Sequence, residues 1–369
     1  MKLTELEIKG FKSIDGAGQT IAFGDVTLLL GANGAGKSNL ISFFRMLGYM
    51  TTGALQQYVG KYGVNQLLFY GSRVTESISF SVTLEDDRNI DKYEVKLSHG
   101  MPDRLFISGE KVSYQTKGRP DPLEYFLTAG GAETGLAQDN RKTSQVLAAL
   151  LGRINDYQFH DTSDTARIKD RVYLDDAAYL RSDAGNLAAF LKNLKDTEKF
   201  QPYYQRIVRH VQKVMPQFGD FKLDSLPGND RYIRLNWQDK RRPDYLFGPD
   251  QISDGSLRFM ALATLLMQPP ELMPKVIVLD EPELGLHPAA TLALAGLIKR
   301  ASHHVQIVVA AQSTRLVDEF SPDQVVVVER DEDSGASQFH RLDTEKLADW
   351  LDRYSLSELW EKNVLGGKP

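Results

Sequence analysis

The chain has 369 residues, of which 42% are hydrophobic and 25% charged, and its formal net charge is −5 at pH 7. This composition predicts a large core in two lobes, or in one domain with a sizeable insertion. The absence of cysteine excludes disulfides, thiolate metal sites and cysteine nucleophiles, and it fits a reducing cytoplasm. The net charge argues against a surface that is basic throughout. No apolar run is long enough to cross a bilayer, so we expect a soluble, cytoplasmic protein without a membrane partner.

The first elements are predicted to be two short strands. Residues 3–8 alternate between apolar and polar side chains, which predicts the first strand. The second strand is predicted at 20–23, after a Gly-rich turn at 15–18. The loop between them carries Lys12 and Ser13. Alone it would be a solvated turn, but a sheet that leads to a phosphate loop would bring this cation and hydroxyl near a nucleotide.

Residues 31–38 read Gly-Ala-Asn-Gly-Ala-Gly-Lys-Ser, a complete G-x-x-x-x-G-K-[ST] phosphate loop. A buried strand is predicted before it at 26–30 and a helix after it at 39–47. In this setting main-chain N–H groups converge on a phosphate at the positive end of the helix dipole. Lys37 is predicted to contact the β- and γ-phosphates, and Ser38 to bind Mg²⁺. The other predicted nucleotide-binding residues of the loop are Asn33, Gly34, Ala35, Gly36 and Asn39. The alternative is a Gly-rich turn that matches by chance.

The chain after this helix is predicted to form an antiparallel β lobe and then helices. Strands are predicted at 66–70, 77–84 and 93–97, and the polar, turn-rich stretch 101–122 is expected to end the lobe. Helical spacing follows at 143–154, 184–194 and 203–214. The predicted domains are an N-terminal part of the head (1–101), a mainly helical insertion (102–245) and a C-terminal part of the head (246–369).

Three continuous apolar runs near the end of the chain are predicted to be buried strands, at 276–279, 306–310 and 325–328. A helix at 289–299 separates the first two. Strands that alternate with helices indicate a parallel sheet covered on both faces. The fold class is therefore predicted to be α/β.

Two adjacent carboxylates, Asp280 and Glu281, follow the strand at 276–279. At such a strand end the first is expected to point toward Mg²⁺ and the second toward a water near the γ-phosphate. Asp280 is the predicted metal ligand and Glu281 the predicted general base. An acidic strand end that caps a helix is the alternative, and the phosphate loop in the same chain favours the functional interpretation.

The stretch 251–258 reads Gln-Ile-Ser-Asp-Gly-Ser-Leu-Arg and precedes an apolar helix at 259–267. Ser253 and Gly255 offer a hydroxyl and an unhindered main chain at a helix N-terminus, where an anion is favoured. Alone, the stretch is better interpreted as a plain N-cap. Its position shortly before Asp280 favours a phosphate contact.

The order of these motifs resembles that of the ABC-type ATPases, in particular the RecF, SMC and OLD-like branch. The similarity is carried by residues 8–13, 31–39, 253–258 and 280–288, the last reading Asp-Glu-Pro-Glu-Leu-Gly-Leu-His-Pro. It covers both ends of the chain and leaves about 102–250 unassigned. The resemblance implies an ABC-type ATPase head with a mixed β lobe, a parallel-sheet core and a mainly helical insertion. Coiled-coil arms are not expected, because no heptad repeat runs for three or four turns and the insertion is short. A fused TOPRIM domain is not expected, because no second acidic cluster of the required kind follows Val328.

The resemblance further implies that ATP and Mg²⁺ lie between two heads of a homodimer. Lys37, Ser38 and Asp280 would come from one chain, and Ser253 with Gly255 from the other. The signature reads Ser-Asp-Gly instead of Ser-Gly-Gly, a variant that keeps the hydroxyl and the second glycine.

Two further positions of the family pattern are assigned by resemblance. Gln312 stands where the family often has a switch histidine; it can hydrogen-bond a phosphate oxygen but cannot titrate near neutrality. Gln66 is taken as the Q-loop glutamine because it opens the strand predicted at 66–70, with Gln56 and Gln57 as alternatives.

Cations and aromatic residues are interleaved before the signature, and they fit either a phosphate-backbone footprint on double-stranded DNA or a solvated face with its own aspartates. The members are Lys199, Tyr203, Tyr204, Arg206, Arg209, Lys213, Arg231, Tyr232, Arg234, Trp237, Lys240, Arg241 and Arg242. The leading hypothesis is an ATP-driven, DNA-associated machine in DNA repair or in defence against foreign DNA. The alternative is an ATP-gated scaffold for a separately encoded effector, either a TOPRIM-like nuclease or a toxin, with little DNA binding of its own.

Overall fold

The computed structural model describes residues 1–127, 129–225 and 228–367. The chain forms two compact units. Unit 1 comprises Met1–Asp156, Lys275–Val278 and Val308–Pro369, and unit 2 comprises Tyr157–Pro274 and Leu279–Ile307. Each unit is therefore built from segments that are discontinuous in sequence.

The strands of the described residues are β1 (Lys2–Lys9), β2 (Gln19–Ala22), β3 (Val26–Leu30), β4 (Ser77–Glu85), β5 (Asn89–Gly100), β6 (Arg104–Thr116), β7 (Leu123–Phe126), β8 (Ile154–Tyr157), β9 (Val172–Tyr173), β10 (Phe218–Lys222), β11 (Tyr232–Ile233), β12 (Asn236–Asp239), β13 (Leu246–Phe247), β14 (Val276–Asp280), β15 (Gln306–Ala311), β16 (Val325–Arg330) and β17 (Ser337–Arg341). The α-helices are α1 (Lys37–Thr51), α2 (Leu55–Tyr62), α3 (Val64–Leu67), α4 (Lys142–Leu151), α5 (Leu187–Asp196), α6 (Gln201–Val214), α7 (Asp254–Met267), α8 (Pro288–Ala301), α9 (Thr314–Val317), α10 (Thr344–Leu351) and α11 (Leu356–Glu361).

An antiparallel sheet of six strands, in the order β2-β1-β4-β5-β6-β7, lies in unit 1. Side chains alternate between its faces, as the two-residue period of a strand requires. Val82, Tyr93 and Val112 are paired across three strands and are buried. On the other face Lys111 forms an ion pair with Glu94, 2.7 Å from Nζ to the carboxylate. One face thus belongs to the core and the other carries charge.

The second six-stranded sheet has the order β17-β16-β3-β15-β14-β8. β16 is parallel to β3 and antiparallel to β17. Every residue of β3, β14 and β15 is buried, which is typical of strands covered on both faces. The boundary between the two units falls within β8, β14 and β15.

Helix α1 begins at Lys37, directly after the phosphate loop, and buries Leu40, Phe43, Phe44 and Leu47 at helical spacing. The ring of Phe43 makes edge-to-face contact with Phe80 of β4, with 5.0 Å between centroids. Such aromatic pairs add specific geometry to the apolar area they bury. The helix is therefore fixed against the core face of the antiparallel sheet.

In unit 2, α6 packs against α5, α7 and α8, and α7 packs against α8. Helix α7 is buried along most of its length, as the apolar run at 259–267 predicts. Two small antiparallel sheets, β10-β12-β13 and β9-β11, accompany these helices. None of the helices in the described ranges is long and apolar enough to cross a membrane.

The α/β fold class is confirmed, and the strands predicted at 26–30, 77–84, 276–279, 306–310 and 325–328 are present with small shifts at their ends. The division of the chain at 101/102 and 245/246 stays a prediction.

Three predictions of local structure are wrong. Residues 66–67 belong to helix α3, because Gly63 turns the chain at a φ of +77° and Val64 and Leu67 are buried at helical spacing. The stretch 101–122 contains strand β6, whose polar residues belong to a sheet with one charged face. The helix predicted at 143–154 ends at Leu151, and residues 154–157 form β8.

Candidate functional site

The predicted phosphate loop folds back over the first residue of α1 in unit 1. Lys37 is buried, and its Nζ donates to the main-chain oxygens of Gly31 (2.6 Å) and Ala32 (2.9 Å). Asn33, Gly34 and Ser38 are exposed. A cation thus lies against a loop whose tip, at Asn33 and Gly34, is exposed, at the N-terminus of a 15-residue helix. This is the arrangement that favours binding of a polyphosphate.

Gly36 lies where no side chain fits. Its φ is +120°, and a Cβ there would lie 2.0 Å from the Oγ of Ser337 and 2.9 Å from that of Ser13. The Oγ of Ser337 lies 2.7 Å from Ser13 Oγ and 2.5 Å from the main-chain oxygen of Ala35. Asn39 donates from Nδ2 to Ser13 Oγ over 2.7 Å. The predicted residues Ser13, Ala35, Gly36 and Asn39 are therefore brought together, with Ser337 as an additional member.

Lys12, predicted to lie near the nucleotide, is half-buried at a φ of +50°. Its Nζ lies 5.8 Å from the ring centroid of Phe11 and 5.4 Å from that of Tyr62, within the range of cation–π attraction. Burial lowers the pKa of Lys12, and the positive charge of Arg45 lowers it further against the influence of Tyr62. Lys12 is accordingly held against aromatic rings and is not a freely solvated turn residue.

The two predicted carboxylates lie in unit 2, where β14 ends. Asp280 is buried, and its Oδ2 accepts a hydrogen bond from Nε2 of Gln158 over 2.8 Å. The main-chain oxygen of Asp280 lies 2.8 Å from Nε2 of His160. Glu281 is half-buried at a φ of +43°, a conformation that costs energy for a residue with a Cβ and is concentrated at functional sites.

The signature stretch starts helix α7 in unit 2, and Ser253 is its N-cap. Ser253 is exposed, and its Oγ accepts from the N–H of Ser256 over 3.3 Å. Arg258 donates from Nη1 to the main-chain oxygen of Leu284 and from Nη2 to that of His160, each over 2.8 Å. The N-cap interpretation is therefore confirmed, while the phosphate contact of Ser253 stays a prediction.

Gly255 and Gly285 are in direct contact within unit 2. A Cβ on Gly255 would lie 2.5 Å from the main-chain oxygen of Gly285, and a Cβ on Gly285 would lie 2.4 Å from Nη1 of Arg258. The start of the signature helix and the turn after Glu281 are thus packed main chain to main chain.

The predicted residues fall into two groups, each within one unit. Unit 1 holds the phosphate loop, Lys12, Ser13, Gln66 and Gln312, and unit 2 holds Ser253, Gly255, Asp280 and Glu281. Gln312 is half-buried between β15 and α9.

The premise for choosing Gln66 is wrong, because Gln66 does not open a strand but is exposed in α3. The alternative Gln56 donates to main-chain oxygens of Leu105 and Ala132, each over 2.8 Å, which is a structural role. The glutamine that contacts Asp280 is Gln158, which sequence reasoning missed. No sequence signal was available for it, because the strand that precedes it, β8, has only four residues and was not predicted.

The predicted basic and aromatic stretch is only in part a free surface. Trp237 and Tyr204 are buried, and Arg234 pairs with Asp250. The other part includes His210 of α6, and helix α8, which carries Arg300, packs against α6. Burial, followed by the positive charges of Lys213, Arg300 and Arg209, lowers the pKa of His210 on the same face.

Residues 26–318 match the family described as AAA domain, putative AbiEii toxin, Type IV TA system. No curated protein has a sequence that matches this chain.

Two solved structures share the fold. The SMC head bound to the C-winged helix domain of ScpA has a TM-score of 0.57 at 17% identity, over 95% of this chain and 100% of that one. The SMC head domain with an extended coiled coil, bound to the C-terminal domain of ScpA derived from Pyrococcus furiosus, has a TM-score of 0.56 at 17% identity, over 95% and 98% of the two chains. At this identity the likeness shows the fold, which is that of an SMC head domain.

The contact between Gly255 and Gly285 predicts that Gly255→Ala destabilises the protein. The added methyl group would overlap a main-chain oxygen that cannot move independently, and overpacking of this kind costs about 1–3 kcal/mol. The matched control is Gly296→Ala in α8, where a Cβ meets no atom within 4 Å and alanine is favoured by about 1 kcal/mol. The midpoint temperature of thermal unfolding should therefore fall for Gly255→Ala and rise for Gly296→Ala. Equal shifts of the two midpoints would contradict the packing described.

Proposed function

Since the chain belongs to the AAA family described as AAA domain, putative AbiEii toxin, Type IV TA system, we propose that it binds and hydrolyses ATP and that two copies engage around the nucleotide. The observation that carries this proposal is the buried Lys37, whose ammonium group bonds the main chain of a phosphate loop with an exposed tip at Asn33 and Gly34. The fold shared with SMC heads supports it.

The roles follow from the chemistry of each residue in its own unit. Lys37 and the loop N–H groups bind the phosphates, with Lys12, Ser13 and Asn39 beside them. Ser38 and Asp280 are the residues that would hold Mg²⁺, a hard cation that takes few protein oxygens and keeps several waters. When bound, this ion neutralises charge that develops on the phosphates.

Turnover is assigned to groups around Asp280. Glu281 orients and deprotonates the attacking water, and its main chain has a positive φ of the kind concentrated at functional sites. Gln158 holds Oδ2 of Asp280 in place through its 2.8 Å hydrogen bond. We therefore assign the role of the Q-loop glutamine to Gln158 instead of Gln66. Gln312 contributes a hydrogen bond to a phosphate oxygen without changing its charge.

Ser253 is proposed to act on ATP bound by a second copy. Its hydroxyl is exposed at the N-terminus of α7, a helix of 14 residues, where the dipole favours a phosphate. Gly255 is required there because its neighbour Gly285 leaves no room for a side chain. Binding of ATP would then favour the homodimer, and hydrolysis would loosen it.

Double-stranded DNA is the proposed partner of the dimer, in DNA repair or in defence against foreign DNA. The supporting observation is that Arg209 and Lys213 lie on α6 and Arg300 on α8, which packs against α6, since cations grouped on one face bind a phosphate backbone. The toxin and antitoxin terms in the family description support a defence role with a separately encoded effector, a nuclease or a toxin.

Variants at two residues test the nucleotide site. Lys37→Ala should abolish ATP binding by removing the cation from the phosphates, whereas Glu281→Gln should bind ATP and lose turnover by about 10²-fold or more. Binding by titration calorimetry and phosphate release in single turnover measure the two effects. Parental turnover in Glu281→Gln would show that another group is the base.

The control for this experiment separates the two glutamines. Gln158→Ala should slow phosphate release while ATP binding persists, because only the positioning of Asp280 is lost. Gln66→Ala, on the exposed side of α3, should behave as the parent. The reverse order of effects would contradict the assignment of Gln158.

Mixed dimers test the shared site. Lys37→Ala chains and Ser253→Arg chains should each be inactive alone, and a mixture should regain partial ATPase activity because each mixed dimer contains one intact composite site. Differently tagged chains, purified in sequence, verify the mixture. Zero activity in verified mixed dimers, or full activity from a protein that stays monomeric with ATP, would overturn the proposed dimer.

Stimulation of the ATPase activity by DNA decides between a DNA-associated ATPase and a scaffold for an effector. Double-stranded DNA should raise the parental ATPase rate, and Arg209→Glu with Lys213→Glu should weaken DNA binding and reduce its salt dependence. The matched control is Arg234→Glu, whose cation is already paired with Asp250. If the ATPase rate is the same with and without DNA and no DNA binding is measured, the effector scaffold is supported instead.

A further inference from the structure

We propose that residues 362–367, called the strap below, form one wall of the nucleotide pocket and hold the phosphate loop in its binding conformation. Gly367 is the residue through which the strap acts. This inference rests on the proposed function, since it assigns a positioning role at the same nucleotide site.

The strap leaves a helix that is firmly attached within unit 1. Leu356 and Leu359 of α11 are buried, and Ser357 donates from its N–H (2.8 Å) and its Oγ (2.6 Å) to the carboxylate of Asp318. The strap therefore starts from a fixed point.

The strap ends on the first residues of the phosphate loop. The main-chain oxygen of Gly367 accepts from the N–H of Ala32 over 2.9 Å. The N–H of Gly367 donates to Oε2 of Glu329 in β16 over 3.2 Å. At a φ of +71°, a Cβ on Gly367 would lie 2.6 Å from Cγ1 of Val327, so only glycine fits against β16 at this point.

The peptide group between Gly31 and Ala32 is consequently held at both ends. Its oxygen accepts from Lys37 Nζ over 2.6 Å, and its N–H donates to Gly367 over 2.9 Å. Because a peptide group is planar, two such bonds fix its orientation. When the ammonium group of Lys37 turns toward bound phosphates, its hydrogen bond to the oxygen of Gly31 is lost. The hydrogen bond from Ala32 to Gly367 then still holds the peptide group in place.

The strap also borders a pocket of about 500 Å³ beside the loop. Residues 32–35 line one side of it, and Asn363, Gly367 and residues 329–332 line the other. The volume suits a small ligand. The ligand assigned to it is the nucleoside of the triphosphate whose phosphates the loop binds, because the carboxylates of Glu329, Asp331 and Glu332 on the far side disfavour the phosphates themselves.

The test compares two glycines of similar main-chain conformation. Gly367→Ala should weaken binding of ATP with Mg²⁺ by about tenfold, which corresponds to the loss of about one hydrogen bond. Gly118→Ala is the matched control: its φ is +87°, so the backbone strain is similar, but a Cβ there meets no atom within 4 Å. It should bind ATP as the parent does. Equal affinities in the two variants would overturn the inference.

A second pair of variants leaves the strap unchanged. Glu329→Ala removes the acceptor for the N–H of Gly367 and should weaken ATP binding, whereas Glu329→Gln keeps an acceptor oxygen and should restore most of it. Thermal unfolding without nucleotide shows that both are folded. Weak binding in both, or parental binding in both, would count against the strap.

Hydrogen exchange supplies a readout that a merely structural role would not change. Because coupling is reciprocal, ATP should slow exchange in peptides that contain Ala32 and in peptides that contain Gly367, and Glu329→Ala should remove the second effect. Lys37→Ala distinguishes a failure of the proposed function from a failure of the strap alone. If Lys37→Ala binds ATP normally, the proposed function fails; if it does not, and Gly367→Ala binds like Gly118→Ala, only the strap is wrong.

Discussion

The ammonium group of Lys37 is buried, and a buried cation has to be hydrogen-bonded or paired because its desolvation is costly. The main-chain oxygens of Gly31 and Ala32 meet this requirement, and in doing so they turn the loop back over the start of α1. Segments distant in sequence then fit against the closed loop. Ser13, Ser337 and Gly367 all contact it, so one buried charge organises residues from both ends of the chain.

Unit 2 has a constraint of a different kind, which is the close contact of main chain with main chain. Gly255 and Gly285 leave no space for side chains between them, and Arg258 bonds the main chain on both sides, at Leu284 and at His160. His160 in turn contacts the main chain of Asp280. The signature helix and the carboxylate strand end are therefore linked within one unit by hydrogen bonds that involve few side chains. A displacement at one of them has to be felt at the other.

Sequence reasoning succeeded where the pattern is local and failed where the partner is distant. Strand β3, the phosphate loop and α1 follow from an apolar run, a spaced motif and helical periodicity that are contiguous in the chain. The two carboxylates are equally legible, because Asp280 and Glu281 end a buried strand. Gln158 was missed because β8 has only four residues, and because its partner Asp280 lies 122 positions away.

Other failures have the same origin. Ser337 has no local pattern, and its contact with Ser13 spans 324 positions. The stretch at 66–70 was misjudged because four apolar or aromatic residues in a short run suit a strand as well as a helix, and Gly63 decided the outcome through its turn. The contribution of Arg300 could not be predicted from the sequence, since it is remote in sequence from Arg209 and Lys213 and lies on α8, which packs against α6.

The position of β3 in its sheet has a consequence for synthesis on the ribosome. β3 carries the phosphate loop, but it lies between β16 and β15, and Leu28 pairs with Val325. Both neighbours are made roughly 300 residues after it, which at about 5–20 residues per second is a delay of about 15–60 s. During this time the strand has neither of its lateral partners in that sheet. A nascent chain should therefore acquire nucleotide affinity late, after the signature helix and the carboxylate strand have already been synthesised.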